Sequence, residues 1–356
     1  MVKCVAPKAT GRFNIRVVGN DFFPTERHLT LEGAEQSALH EQAAATARER
    51  FGQRVFVRGV VEVSNFCREN CSYCGMRRDN RALTRFRASY EQLAEQIIHH
   101  RPASVTDVNI QTGEDPVAVR EVVLPLIRAL RRETPLGISV CLGNLSAELY
   151  AELQSAGATI YIMKFESGNA SRYAEIQAPG TFEERLRHIR ALAHDGWNVS
   201  SGFIAGLPGE QPTDLIASLR LASELPLRGC SVSPFIPGED TPLAAQPAAR
   251  ANWTLNCMAS MRLMRPDWVI PAVSALNLAD KDGYLRGLRA GANLVTMNLT
   301  PGELRGDYVI YKRDRFIMTE ERVLKAITAA GLAPSKTSLA EHYRTGVACE
   351  SVPAER

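Results

Sequence analysis

Eight short runs rich in β-branched residues alternate with longer stretches in which apolar residues recur at intervals of three and four. The runs read VFVRGVVEVS, SVTDVNIQTG, GISVCLG, TIYIMKF, WNVSSGFIAG, GCSVSPFIP, WVIPAVSA and NLVTMNLTP. Strands separated by helical crossovers predict a parallel sheet, and eight repeats favour a closed α/β barrel, the (β/α)8 barrel of the TIM type. An open, doubly wound sheet is the alternative. In a barrel, the chemistry belongs to the residues that follow each strand.

Segments on either side of this repeat are expected to be extensions of the barrel. The stretch LEGAEQSALHEQAAATARERFG is rich in Ala, Glu, Gln and Arg, lacks proline and ends at Gly52, a helix stop signal. We therefore predict a helical extension over residues 1–50, a barrel over residues 51–302, and a short extension over residues 303–356 that closes the barrel.

Composition narrows the class of partner. The 356 residues are 45% hydrophobic and carry 42 basic and 39 acidic side chains, which gives a net charge of +3. A near-balanced charge without a long basic run predicts no nucleic-acid partner. No apolar run approaches the roughly 20 residues of a membrane helix, and the N-terminus lacks the apolar core of a signal peptide. We therefore expect a cytoplasmic protein without a membrane partner, whose eight cysteines are thiols or metal ligands.

The stretch CRENCSYCG places Cys67, Cys71 and Cys74 where the first strand ends, at the expected mouth of the barrel. Thiolates at this spacing converge on one corner of a compact iron–sulfur cluster. Three thiolates on a 4Fe-4S cluster leave one iron open to a chelating ligand. A structural zinc site is the alternative, but it needs a fourth ligand nearby, and the next cysteine and histidine are Cys141 and His99.

This triad, with Tyr73 before its last cysteine, resembles the hallmark of the radical S-adenosylmethionine (SAM) enzymes. The resemblance implies a radical SAM barrel with one 4Fe-4S cluster, whose open iron binds the amino and carboxylate groups of SAM. It further implies that the reduced cluster cleaves SAM to methionine and a 5′-deoxyadenosyl radical, which removes hydrogen from a substrate. The protein positions the cofactor and excludes water. The electron is expected from a donor such as flavodoxin or ferredoxin.

Further segments resemble the biotin-synthase-like branch of this family, which contains the hydrogenase maturase HydE and the methylornithine synthase PylB. QTGEDP follows the second strand, KFESGN the fourth and GFIAGLPGE the fifth. The resemblance implies that SAM contacts Thr112, Gly113, Glu114, Glu166, Arg185 and Ile204 in addition to Tyr73, with Glu166 and Arg185 directed at its ribose and carboxylate. Without the resemblance, TGEDP predicts a turn, and a Glu and an Arg predict a surface salt bridge.

Four residues are candidates for the substrate site, because charge-assisted hydrogen bonds hold a carboxylate strongly in a desolvated pocket. They are Arg58 on the first strand, Gln111 on the second, Lys164 on the fourth and Ser274 after the seventh. The charged and hydroxyl candidates have structural alternatives, in which Arg58 caps a barrel end, Lys164 is solvated and Ser274 fills a small space. At the position of Lys164, the resemblance to HydE implies an Arg instead. The segment VSALN matches neither HydE nor PylB, so a different substrate is expected.

The sequence leaves three functions open. The first is a radical SAM enzyme that abstracts hydrogen from a small, amino-acid-derived substrate in PylB-like mutase or lyase chemistry. The second is a HydE-like maturase in metal-cofactor assembly. The cluster loop and SPFIPGEDTPLA favour HydE, whereas VLKAITAAGLAPS resembles the end of PylB. The third is a non-catalytic iron–sulfur electron carrier. A second cluster on Cys141 and Cys230 has no supporting ligand spacing, so one cluster is expected.

Overall fold

The computed structural model describes residues 22–313 and 316–345. In the region predicted as the N-terminal extension it contains two helices, α1 Glu26–Leu29 and α2 Gly33–Phe51, while residues 1–21 lie outside the described ranges. Helix α2 ends where Gly52 adopts a positive φ of 64°, a conformation that glycine takes without steric cost. The helix stop predicted at this glycine is therefore present.

All eight predicted strands are present, and each overlaps its β-branched run. The strands are β1 Arg54–Ser64, β2 Asp107–Thr112, β3 Gly137–Cys141, β4 Ile160–Ile162, β5 Asn198–Ala205, β6 Gly229–Pro234, β7 Pro271–Ala272 and β8 Leu294–Asn298. A further short strand, β9 Ala333–Pro334, follows in the C-terminal region.

Helices fill the connections between the strands. They are α3 Tyr90–His100, α4 Pro116–Ala118, α5 Leu124–Glu133, α6 Ala147–Ala156, α7 Ala170–Glu175, α8 Phe182–His194, α9 Pro212–Glu224, α10 Ala251–Met264, α11 Leu276–Ala279, α12 Gly283–Arg289, α13 Gly302–Arg305, α14 Glu320–Ala329 and α15 Leu339–Thr345, with a π-helical turn at Val119–Val123. Ser89, Ser146 and Thr181 cap α3, α6 and α8 by accepting a hydrogen bond from a backbone N–H of the first turn.

Helix α10 forms the crossover between β6 and β7, and it is buried on nearly all sides. It packs between α2 and β6, and nearly all of its residues are buried. A helix buried on every side does not show the single apolar stripe by which an amphipathic helix is recognised.

The strands form a parallel barrel. Hydrogen bonds join them in the order β6-β5-β4-β3-β2-β1-β8-β7, and every pair is parallel. A bridge between Gly229 and Val269 links β6 to the segment before β7, which brings the two ends of this series together. The predicted (β/α)8 barrel is confirmed, and the open doubly wound sheet is excluded. Within the described ranges, no helix combines the length and apolar character needed to cross a membrane.

The barrel interior changes character from one end to the other. At the N-terminal ends of the strands, Ile160, Val269, Leu294 and Leu339 belong to one apolar cluster. Nearer the C-terminal ends, the inward-facing residues are mostly small or polar, and they include Asn109, Gln111, Cys141, Ser200, Ser231, Ser233 and Thr296. Such side chains do not fill the space that large branched residues occupy in other TIM barrels. A cavity of about 390 Å³ remains inside the barrel.

Helix α15 closes the lower end of this cavity. Strand β9 pairs with the start of β1, and the N–H of Leu339 donates to both carboxylate oxygens of Asp107 on β2, at 3.0 and 2.9 Å. The Tyr343 hydroxyl donates to the Arg228 carbonyl before β6, at 3.3 Å. The helix therefore spans the barrel, and Leu339 and Tyr343 form a floor. A closing C-terminal segment was expected, while the exact domain boundaries stay predictions.

Candidate active site

One cavity brings together every residue that the sequence nominates for the site. Its lining includes Arg58, Cys67, Cys71, Tyr73, Cys74, Gln111, Thr112, Gly113, Glu114, Lys164, Glu166, Arg185, Ile204 and Ser274. These residues come from five strands and the segments that follow them, mostly at the C-terminal ends, where a barrel is expected to carry its chemistry. Their individual roles remain predictions.

The cysteine loop, residues 65–87, is held by two side chains inside it. The Asn65 amide donates to the carbonyls of Thr84 and Asp307, both at 2.7 Å. The Arg85 guanidinium donates to four backbone carbonyls of the same loop, among them that of Met76 at 2.9 Å. The loop therefore has a defined shape although it contains neither a strand nor a helix.

The three thiols fit a polynuclear iron–sulfur group. Burial raises the pKa of each thiol, that of Cys74 to about 12, so bound cations must supply the stabilisation of the thiolates at neutral pH. The Glu114 N–H donates to the Cys67 sulfur at 3.3 Å, a contact that would stabilise the thiolate. In the described part of the chain, no three His, Cys, Asp or Glu side chains converge closely enough to hold a single metal ion. Three thiols that line one cavity are a donor set that fits a 4Fe-4S cluster with one open iron.

Gly113 lies against the cysteine loop without room for a side chain. A Cβ atom at this position would approach the Cβ of Cys67 to 2.8 Å and would lie closer still to the Phe66 carbonyl oxygen. Real Cβ atoms essentially never show such contacts. The glycine of QTGEDP thus allows the end of β2 to touch the loop that carries the cysteines.

Glu114 and Arg185 form a buried ion pair. Their side chains are 6% and 4% exposed, and Arg185 Nη2 lies 3.3 Å from Glu114 Oε1. The same carboxylate accepts from the Asn144 N–H at 3.0 Å and from Arg68 Nε at 3.2 Å. Burial acts to lower the pKa of Arg185, but Glu114 and other acceptors outweigh it, so the pKa lies above its ordinary value. Arg185 therefore lies in a buried ion pair and not in the surface salt bridge with Glu166 that the sequence left open.

Glu166 pairs with Lys164, not with Arg185. Lys164 Nζ lies 3.0 Å from Glu166 Oε2, and both side chains are largely buried. Both residues follow β4, and both side chains line the cavity. The alternative in which Lys164 is simply solvated does not hold, since only 25% of its side chain is exposed.

An apolar wall borders the cysteine loop. Ile204, Leu207 and Phe235 belong to one buried cluster, against which the Tyr73 ring packs. The segment after β6 supports this wall from behind, where Leu243 N–H donates to the Ser72 carbonyl at 3.3 Å. The wall offers a flat apolar surface beside the thiols, which suits the face of an aromatic ring.

The deep half of the cavity is rich in hydrogen-bond donors. Arg58 is 9% exposed, and its Nε has no hydrogen-bond partner among the described residues. Asn109 donates to Gln111 Oε1 at 3.3 Å, which leaves the amide nitrogen of Gln111 available to the cavity. Burial lowers the pKa of Arg58, yet a guanidinium keeps its charge in proteins. An anionic group is therefore the natural occupant of this half.

Three residues near the site differ from or extend the sequence prediction. Ser274 is exposed at the rim of the cavity, so it neither fills a small internal space nor lies inside the barrel as expected. Asn109 and Arg85 were not nominated. Asn109 and Gln111 stand two residues apart on β2, so they share its inward face. The alternation of side chains along a strand would therefore have predicted Asn109 once Gln111 was nominated. No sequence pattern indicates the role of Arg85, because it donates hydrogen bonds to backbone carbonyls of an irregular loop.

The remaining described cysteines are Cys141, Cys230 and Cys257. Cys141 lines the cavity, whereas Cys230 and Cys257 are fully buried in the main apolar core. Cys4 and Cys349 lie outside the described residues. Buried single cysteines of this kind behave as small apolar residues.

Comparison with known proteins assigns the family. The sequence profile of the Radical SAM superfamily matches residues 61–222, the part of the chain that carries the three cysteines and the Glu114–Arg185 pair. The [FeFe] hydrogenase maturase subunit HydE of Thermotoga maritima is 31% identical over 304 residues, which are 84% of this chain and 87% of that relative. The chain belongs to the radical SAM superfamily. This radical SAM chain is also similar to the 3-methylornithine synthase of Methanosarcina barkeri, with 28% identity over 86% of the chain and 88% of that relative.

The fold agrees with a solved radical SAM enzyme. The crystal structure of methylornithine synthase (PylB) superposes with a TM-score of 0.79 at 26% identity, covering 89% of this chain and 95% of that one. The family implies a 4Fe-4S cluster and SAM, in agreement with the expectation from the cysteine triad. The chain is therefore placed among enzymes, and the electron-carrier alternative is set aside.

Proposed function

We propose that this chain cleaves SAM reductively at a 4Fe-4S cluster held by Cys67, Cys71 and Cys74, and abstracts hydrogen from a small substrate that carries a carboxylate. The observation that carries the proposal is the donor-lined cavity beneath the cysteine loop, with the unpartnered Nε of Arg58 in its deep half. A cavity closed at its floor by α15 suits a radical reaction, since water must be kept from the reacting atoms.

Several residues of the upper cavity are proposed to hold SAM. When bound, the cluster and SAM supply one electron and a 5′-deoxyadenosyl radical. The wall of Tyr73 and Ile204 would face the adenine, and the Glu166 carboxylate would accept from ribose hydroxyls. Thr112, Gly113 and the Glu114–Arg185 pair would border the methionine portion.

The lower cavity is proposed to hold the substrate. Arg58 and the amide nitrogen of Gln111 would donate to its carboxylate, and Lys164 supplies a second positive charge. Ser274, at the rim, would touch a substrate only where it extends toward solvent. The electron is proposed to come from a small donor protein such as flavodoxin or ferredoxin.

The reaction we favour is a rearrangement or fragmentation of an amino-acid-derived substrate, as in PylB. A cavity lined with amides, hydroxyls and an arginine supports an organic, charged substrate. The second candidate is a HydE-like role in assembling a metal cofactor, which the 31% identity to HydE supports. The two candidates share the radical step and differ in the substrate.

The test is an anaerobic assay for SAM cleavage. The protein is reconstituted with iron and sulfide, reduced with dithionite and given SAM, and 5′-deoxyadenosine is measured by mass spectrometry. We expect product from the wild type and none from Cys71→Ala. A panel of amino acids is then added, and the true substrate class should accelerate turnover in the wild type but not in Arg58→Met.

The two candidates give different results in this panel. Acceleration by an amino acid, with a rearranged or cleaved product, supports the mutase or lyase. Acceleration by an iron complex alone would favour the maturase. A well-formed cluster that never cleaves SAM with any of these would refute the proposed function.

A further inference from the structure

The ion pair between Lys164 and Glu166 lies in the same cavity as the cysteine thiols and the inward-facing polar residues of the strands. Both residues follow β4, and both side chains line this cavity. In the proposed arrangement, Glu166 borders the SAM ribose and Lys164 borders the substrate carboxylate.

The backbone fixes the position of Glu166. Its φ is +58°, which is uncommon for a residue with a side chain. The Glu166 N–H donates to the Gly202 carbonyl at 3.1 Å, and its carbonyl accepts from the Ile204 N–H at 2.9 Å. Two hydrogen bonds to β5 thus hold the residue in a conformation that it would otherwise leave. The backbone position from which the Glu166 side chain enters the cavity is therefore fixed.

Lys164 and Glu166 have few other groups, and little solvent, with which to pair. Among the ion pairs of the described residues, Lys164 has Glu166 as its acidic partner and Glu166 has Lys164 as its basic partner. At 25% and 12% exposure, neither side chain is well solvated. A charged or polar ligand that approaches one partner therefore competes with the other partner for its charge.

We propose that this ion pair couples the binding of SAM to the binding of an anionic substrate. The inference rests on the proposed function. A ribose hydroxyl that donates to Glu166 weakens the pair, and so does a substrate carboxylate that accepts from Lys164. The free energy of weakening the ion pair is needed only once. The first ligand to bind supplies it, so the second ligand binds more tightly, and the effect is the same in either order.

In the absence of substrate, SAM itself must weaken the ion pair when it binds. SAM alone should therefore bind less tightly than it would if Glu166 had no cationic partner. In Lys164→Met, the Glu166 carboxylate no longer has a competing cation, so SAM should bind about tenfold more tightly than to the wild type, which corresponds to 1.4 kcal/mol. Lys164→Arg keeps a cation at the same place and should bind SAM like the wild type. In a Glu166→Gln background, Lys164→Met should change nothing.

The experiment is a double-mutant cycle on SAM affinity. Wild type, Lys164→Met, Lys164→Arg, Glu166→Gln and the Met–Gln double variant are reconstituted with the cluster, and SAM binding is measured by anaerobic equilibrium dialysis without reductant. Iron content and circular dichroism confirm that each variant carries its cluster and is folded. The readout is a dissociation constant, which does not depend on turnover.

Each outcome decides the inference. Tighter binding in Lys164→Met that disappears in the Glu166→Gln background supports it. Unchanged or weaker binding in Lys164→Met overturns it, and so does tightening that persists without the carboxylate, since that is a general effect of charge on the SAM sulfonium. If the reconstituted wild type binds no SAM at all, the proposed function itself fails and the inference fails with it.

Discussion

Replacing Glu114 by Gln should strongly destabilise the barrel mouth. The carboxylate neutralises Arg185, whose side chain is 4% exposed, and it also accepts from Arg68 and from the Asn144 N–H. Glutamine keeps one acceptor oxygen but removes the charge, and it directs an amide N–H toward a guanidinium. The variant therefore removes the carboxylate that pairs directly with a buried cation, which keeps a hydrogen bond from its Nε to the Tyr173 hydroxyl.

The expected size follows from burial. Breaking a buried pair by removing one partner costs about 3–5 kcal/mol, because the remaining charge stays desolvated. The contact with Arg68 adds little, since that side chain is 52% exposed. For a chain of this length, 1 kcal/mol corresponds to about 2 °C in the melting temperature, so Glu114→Gln should melt about 6–10 °C below the wild type.

The assay is thermal unfolding followed by circular dichroism, with a matched surface control. Glu152→Gln breaks a pair with Arg120 of similar length, 3.2 Å, but those side chains are 39% and 56% exposed. It should change the melting temperature by about one degree or less. If Glu114→Gln melts as close to the wild type as this control does, the carboxylate does not hold a desolvated charge, and the interpretation of the site as a buried electrostatic network is wrong.

Three further changes test separate parts of the structure. Cys71→Ala should remove the iron and sulfide retained on reconstitution while the circular dichroism spectrum stays unchanged, because the residue lies on a loop; retained iron would contradict the cluster assignment. Gly113→Ala should also lower iron content, since its Cβ meets Cys67, whereas Gly302→Ala, where a Cβ meets nothing within 4 Å, should leave iron content unchanged. Burial raises the pKa of Glu210 to about 8, above its unfolded value, so wild-type stability should fall as pH rises from about 5 to 8. Glu210→Gln lacks this loss, and equal melting differences between variant and wild type at pH 5 and pH 8 would refute the shift.

The fold was predictable because its pattern repeats. Each strand is a run of β-branched residues with a helix-forming segment after it, and residues such as Ser89 and Thr181 mark helix starts by capping. The crossover helix α10 is the least marked in the sequence, because it is largely buried and therefore lacks a periodic apolar stripe. The floor was anticipated only as a C-terminal closure, since the bond from Leu339 to Asp107 joins residues far apart in sequence.

The residues that line the site could be predicted from the sequence, but the ion pairs that they form could not. Resemblance to a family indicates which residues stand at successive strand ends, so all nominated residues reach one cavity. Which charges meet depends on side-chain reach and backbone conformation. Arg185 turns to Glu114, and Glu166 is held at φ +58° beside Lys164, a contact that no motif encodes. Ser274 also lines the cavity, but it is exposed at the rim because it follows the short strand β7.

The floor formed by α15 also bears on the order in which ligands bind. Leu339 and Tyr343 lie across the lower end of the described barrel, whereas exposed Ser274 lies at the rim of the cavity. In the proposed arrangement, the substrate lies deeper than SAM, near Arg58. The substrate would then bind before SAM, and the SAM fragments would leave before the product.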